Sequence, residues 1–393
     1  MLAWLVSIDS MRRFVALLAL LPATVLTAQI RLDPHAPAHR RAVEAFDRLL
    51  ASGAKQGPQL ACRVERVPPR LGFDLRIWAG YLLSIPVREF SGQPKSAVTA
   101  LIRIDPVEPP GPAVYLGRRL NVPEIPAVVP RNSVISAGGG FSLGPGRYRA
   151  SIVLADVRGR TCLKQWNIKA KSAREGVPLL SPGEVASSSG AWKGFPSSVG
   201  RAASRPVTIL IDAYPVFRRR HLVALSWRDQ MTLLNVLGSV LAHGGFDSAR
   251  VVVFDLARRQ VVFDEPDFEP SSFDSLADAL ASVNLATVDY STLSQGPTER
   301  GFLESLARDI ARSVNPGKLV FIAPQRLPSF RTGPHDDSVW EGISRVSLLA
   351  LLPTPVPEGP VAEFARSGKA RVFSIYSPSD LASTIRRLAS DRP

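Results

Sequence analysis

Sulfur and imidazole are scarce in this chain, and their scarcity removes several chemistries. Only two cysteines, Cys62 and Cys162, and five histidines occur among 393 residues. Two cysteines alone cannot build a structural zinc site, and the histidines show no ligand spacing. No Gly-x-Ser-x-Gly elbow, His-Glu-x-x-His helix or nucleophilic-cysteine setting is present. The glycine-rich SAGGGFSLGPG, residues 136–146, is followed by no Gly-Lys-Ser/Thr and leads into a strand pattern. It reads as a loop and not as a phosphate cradle. No dense basic run carries interleaved aromatics, which argues against nucleic acid as a partner. Beyond the N-terminus no segment is long and apolar enough to span a membrane.

What is present begins with an export signal. From Met11 the chain reads MRRFVALLALLPATVLTAQ. Arg12 and Arg13 supply a basic region, residues 14–21 an apolar core, and Thr27-Ala28 a small-residue cleavage site before Gln29. Met11 is the expected start, because the ten residues before it add nothing a signal needs. The paired arginines lack the rest of a twin-arginine pattern, so the general secretory route is expected. The mature protein is then secreted, periplasmic or held in the cell envelope. In that compartment an isolated cysteine pair is most simply a disulfide, Cys62 to Cys162, with two buried thiols as the alternative. The formal net charge of +14 favours anionic partners, such as acidic proteins or envelope and extracellular polymers. Scattered solubilising charge is the plainer explanation.

The length suggests two or three domains. Residues 1–28 are the signal and 29–57 an N-terminal helix and linker. Within the latter, Val43, Phe46, Leu49 and Leu50 share one face at helical spacing, a face suited to packing on a later domain. Residues 58–172 form short, partly alternating runs split by Pro, Gly, Ser and Asn, the pattern of an all-β sandwich. Residues 173–205 are a flexible linker by composition, in which Trp192 and Phe195 are candidates for pinning it to a neighbour. From 206 to 393 apolar strands alternate with amphipathic helices, which implies an α/β, doubly wound, mostly parallel sheet covered on both faces. ARVVVFDL and RQVVFDE, joined tightly, read as a hairpin at its edge.

Two resemblances refine this outline. In the first, a Gly-x-Tyr strand, the turn Asp156-Val157-Arg158-Gly159 and a return strand through Cys162 resemble the last hairpin of immunoglobulin-like bacterial domains. In the second, the order and content of 206–393 resemble a von Willebrand factor type A domain. Together they resemble secreted bacterial proteins related to that family. The resemblance implies a ligand site at the carboxyl ends of the parallel strands. It implies a metal motif Asp-x-Ser-x-Ser after the first strand, a threonine from a later loop and an aspartate after the fourth strand. Here TILIDAYPV matches at Asp212, but Tyr214 and Val216 replace the serines. Thr298 matches the threonine, and Ala323-Pro324-Gln325-Arg326 lacks the second aspartate. Too few hard oxygen donors remain for a divalent cation, so neither metal nor cofactor is expected.

Plainer roles exist for the remaining candidates. Asp212 can cap a neighbouring loop or helix, Thr298 can cap a helix, and Asp336-Asp337 can be solvated charges. A sharper possibility lies just past Asp212, where Arg218, Arg219 and Arg220 can supply the positive charge a metal would have given. The functional expectation is a non-enzymatic binding or scaffold protein. Its alternatives are a metal-dependent adhesin and a secreted hydrolase whose site leaves no local motif.

Overall fold

The structure is a computed structural model that describes residues 29–390, except 54–57, 94, 172–176, 178, 188–204, 218–222, 286–297, 313–316, 327–336 and 352–358. The chain forms two compact units. One takes in the chain to Gly72, Arg76–Ala173 and Leu179–Gly190; the other Phe73–Leu75, Arg174–Pro178 and Ala191–Pro393.

The first unit opens with β1 (Ile30–Leu32) and helix α1 (Pro37–Ala51). Strands follow at Arg63–Leu71 (β2), Ile77–Pro86 (β3), Ser96–Glu108 (β4), Val114–Val122 (β5), Val134–Leu143 (β6), Gly146–Asp156 (β7), Thr161–Ala170 (β8) and Val185–Ser187 (β9). They build two antiparallel sheets, ordered β1-β5-β4-β7-β8 and β2-β3-β6-β9. Alternation explains why they face each other. Ile77, Ala79, Tyr81 and Leu83 of β3 share a buried cluster with Val98, Ala100, Ile102 and Ile104 of β4 and with Tyr148, Ala150, Ile152 and Leu154 of β7. On the opposite face, Leu101 of β4 and Val153 of β7 are apolar as well, because α1 covers them. Val43 and Phe46 pack on Leu101, Tyr115 and Val153. The helix expected from its apolar face therefore docks on the outer face of the five-stranded sheet.

A polar clamp fixes that docking. Asp47 of α1 accepts from the Tyr115 hydroxyl at 2.8 Å and from Arg103 at 2.9 Å, while Arg103 also donates to Asp105 at 2.7 Å. Burial, and then the bond to Asp47, push the Tyr115 phenol up to about 12, so it stays a donor across ordinary pH. Asp47→Ala is expected to cost about 1 kcal/mol, because the clamp is only half-buried. Hydrogen exchange should then rise in α1 while the β4–β7 amides keep their protection.

The hairpin of β7 and β8 turns as its sequence predicts. The Gly159 amide donates to the Asp156 carbonyl at 3.0 Å, and Gly159 takes φ +79°, which a side chain disfavours. Cys62, one residue before β2, and Cys162 of β8 form the disulfide, with 6.3 Å between their Cα atoms. It ties the edge strand of one sheet to the edge strand of the other.

Two stretches differ from expectation. Residues 136–143, read as part of a glycine-rich loop, lie in strand β6, paired along its length with β3. The glycines there provide space. A Cβ on Gly140 would lie 2.4 Å from the Trp78 indole, and one on Gly139 would lie 2.2 Å from the Tyr81 hydroxyl. The presumed linker also contains β9, which pairs with β6 through Phe141, Ser142 and Leu143. Trp192 and Phe195 lie outside the described residues.

The second unit contains β10 (Pro206–Asp212), α2 (Trp227–His243), β11 (Ser248–Asp255), β12 (Gln260–Glu265), α3 (Ser272–Ser282), α4 (Glu299–Ala311), β13 (Lys318–Pro324), β14 (Arg345–Leu351), α5 (Pro360–Ser367), β15 (Arg371–Ile375) and α6 (Pro378–Ser390). Its sheet runs β12-β11-β10-β13-β14-β15. All neighbours are parallel except the β11–β12 hairpin at one edge. Alternate residues of β10 enter opposite cores. Ile209 and Ile211 join α2, α3 and α6 on one face, whereas Leu210 joins α4 and α5 on the other. Near-continuous apolar strands are the consequence of burial on both faces. The strand order changes direction at β10, the position where open α/β sheets generally place ligands.

Candidate functional site

Asp212 ends β10 at the centre of the sheet and is completely buried. An isolated carboxylate there would be strongly disfavoured. It is held by Arg326, two residues past the end of β13. Arg326 Nη2 donates to Asp212 Oδ1 at 2.6 Å, and Nε donates to Oδ2 at 2.8 Å. This is a fork-on-fork pair, the geometry that only arginine offers a carboxylate. The aromatic ring of Tyr214 lies 4.1 Å from the guanidinium carbon. Arg326 is thus clamped between a carboxylate and a π-face, with its side chain one-tenth exposed.

The charges of the pair are mutually required. Burial pushes the Asp212 carboxyl up from its ordinary value, the Arg326 charge and hydrogen bonds pull it down, and nearby Asp255 pushes it up again. Burial also works against the guanidinium, but Asp212 more than compensates and raises Arg326. Arginine does not give up its proton in a protein, so the state that leaves no lone charge is the ion pair.

The neighbouring acids serve as local anchors. Asp255 ends β11 and accepts from the amides of Ala257 and Arg258, which shapes the β11–β12 turn. Buried Asp229 forms a capping box with Ser226 at the start of α2. It also accepts from the Phe217 amide at 2.9 Å, tying the loop after β10 to that helix. Phe217 in turn lies under Arg228, 3.9 Å away. At this same end Trp227 and Val223 are 75% and 65% exposed. A small open depression beside Arg326, with a volume of about 10 Å³, is lined by Gln325, Leu348, Ala350, Gly359 and Ala362, among others. It is mostly apolar. Gly359, at φ +106°, lets α5 start against Arg326, since a Cβ there would meet the Arg326 carbonyl at 3.0 Å.

The site expected from sequence is thus reassembled. Asp212 is half of an ion pair with Arg326. Tyr214 is a stacking platform. Val216 is core. Thr298 caps α4, its hydroxyl accepting from the Gly301 amide at 3.0 Å. Arg326 supplies the positive charge on Asp212, while Arg218, Arg219 and Arg220 lie outside the described residues, as does Asp336. Arg326, Asp255 and Asp229 were missed. The available signal for Arg326 was its place, just past β13, where the metal motif of the resemblance would put an acid.

A divalent cation does not fit this arrangement. Both Asp212 oxygens are engaged by a cation already, and Tyr214 and Val216 bring no suitable donor. Among the described residues no cluster of three His, Cys, Asp or Glu side chains is placed to hold a metal, and no helix is long and apolar enough to cross a membrane.

No family model matches the chain, and no curated protein sequence does. Among solved structures, the ApaA protein of Bordetella pertussis aligns over 30% of this chain and 98% of its own, at 13% identity and a TM-score of 0.20. The Pseudomonas fluorescens alkylpurine DNA glycosylase AlkC, bound to DNA with an abasic-site analogue, aligns over 34% of this chain and 39% of its own, at 14% identity and a TM-score of 0.16. Likenesses this slight carry no functional argument.

Proposed function

We propose that the chain is an exported, non-enzymatic binding protein. Its first unit is an immunoglobulin-like sandwich and its second a von Willebrand factor type A-like domain working without metal. The partner is a protein or an acidic polymer of the envelope or exterior. The sheet order, with its single antiparallel edge hairpin, supports the domain reading. One observation carries the metal-free part: the Arg326 guanidinium sits on both oxygens of Asp212. The partner meets the strand-end edge, where exposed Trp227 stands beside the Phe217–Arg228 stack. Tryptophan and arginine are the residues that most often anchor such contacts.

The test joins two measurements. Titration calorimetry with Mg²⁺, Mn²⁺ and Ca²⁺ should give no saturable heat. Capture from the protein's own envelope fraction should recover a partner, with binding to Trp227→Ala about tenfold weaker or worse. Saturable Mg²⁺ binding that Asp212→Asn abolishes would reject the metal-free reading. Capture unaffected by Trp227→Ala would reject the strand-end edge as the contact.

A further inference from the structure

The N-terminal segment carries an observation that the binding role does not use. Gln29 is the residue after the cleavage site read in the sequence, and it is only 8% exposed. Both polar atoms of its side-chain amide are engaged. Nε2 donates to the Gly140 carbonyl at 2.9 Å, and Oε1 accepts from the Tyr81 hydroxyl at 3.1 Å. The niche depends on a missing side chain, because a Cβ on Gly139 would lie 2.2 Å from the Tyr81 oxygen and 2.7 Å from Gln29 Oε1. One residue later β1 begins, with Ile30 opposite Gly117 of β5 and Leu32 opposite Tyr115. Tyr81 is buried, and burial pushes its phenol up to about 12, so it remains a donor.

An N-terminal glutamine is chemically labile. Its α-amine attacks the side-chain Cδ, a nitrogen–Cδ bond forms, the Cδ–Nε2 bond breaks, and ammonia leaves. The product is a neutral lactam with no free amine. Ring closure needs the side chain to fold back on its own nitrogen. In this structure the amide instead reaches across to β6 and β3.

We infer that Tyr81, Gly139 and Gly140 form a receptor for the newly cut N-terminus, which holds Gln29 as an open, amine-bearing residue. This rests on the export reading and extends it to the state of the mature end. The lock has two bonds, and both must break before the side chain can fold back on its own nitrogen. Cyclisation in the folded protein should therefore be at least about tenfold slower than in the unfolded chain.

The experiment uses the full mature chain, released with Gln29 first by exact removal of a leader. Loss of ammonia is followed by mass spectrometry in buffer and in denaturant at one pH and temperature. Slow closure when folded and fast closure when unfolded is the expected result; equal rates overturn the receptor. Tyr81→Phe, checked for folding by circular dichroism, should close faster than the parent, and an unchanged rate also counts against it. In parallel, the N-terminus of protein made in its own cells is sequenced. An open Gln29 is expected. An exported chain that starts elsewhere, or that is blocked, overturns this inference alone. A full-length chain retained in the cytosol overturns the export reading itself.

Discussion

Arg326→Met is expected to cost the second unit about 3–5 kcal/mol, because it leaves Asp212 buried with a charge and no counter-ion. The guanidinium makes two charge-assisted bonds and shields a carboxylate that water does not reach. Removing it alone gives up the attraction and keeps the whole desolvation cost. The double variant Asp212→Leu/Arg326→Met should recover most of that loss, since well-packed apolar replacements of a buried pair are often neutral. Urea unfolding of the four proteins of this cycle gives the coupling directly. A loss below about 1 kcal/mol in Arg326→Met would show that the pair contributes little. Added Mg²⁺ should not rescue the single variant, because Tyr214 and Val216 still supply no ligand atoms.

The second large effect concerns the sandwich. Replacing Cys62 and Cys162 together by alanine is expected to destabilise the first unit by about 2–5 kcal/mol. The bridge spans 100 residues of sequence and joins the edge strands of opposite sheets, so its loss frees a long loop in the unfolded chain. Differential scanning calorimetry of oxidised, reduced and double-alanine protein should show one transition moving down. If both transitions move together, or neither moves, the bridge does not act through the first unit.

Much of the architecture is legible in the sequence because burial imposes periods on it. Ile209 to Ile211 and Leu319 to Ala323 are apolar throughout since β10 and β13 are covered on both faces. Phe46 and Val43 mark α1 by their helical spacing. The hairpin of β11 and β12 is legible from its short polar turn. Strand β6 is not, because Gly138, Gly139 and Gly140 have no side chains with which to alternate. Their reason for being there lies on the neighbouring strand, in Trp78 and Tyr81. Strands β1 and β9, three residues each, are too short to show a period.

The candidate site was half legible for a related reason. Asp212 stands out as an acid at the end of an apolar strand. Arg326 stands in plain view, but its meaning depends on a residue 114 positions away. Local spacing carries no trace of such a pairing. The basic run nearest in sequence, Arg218 to Arg220, is where local reading looks for the charge, whereas the residue that pairs with Asp212 is Arg326.

The buried pair also constrains how this chain can change over generations. Losing either partner first passes through a form with one unmatched charge in the protein interior. Acquiring a metal-bearing edge would need Arg326, Tyr214 and Val216 all replaced, and the first step, if it falls on Arg326, is the most damaging. The Asp212–Arg326 pair thus acts as an evolutionary ratchet: descendants should keep both residues or exchange both, and seldom carry one alone.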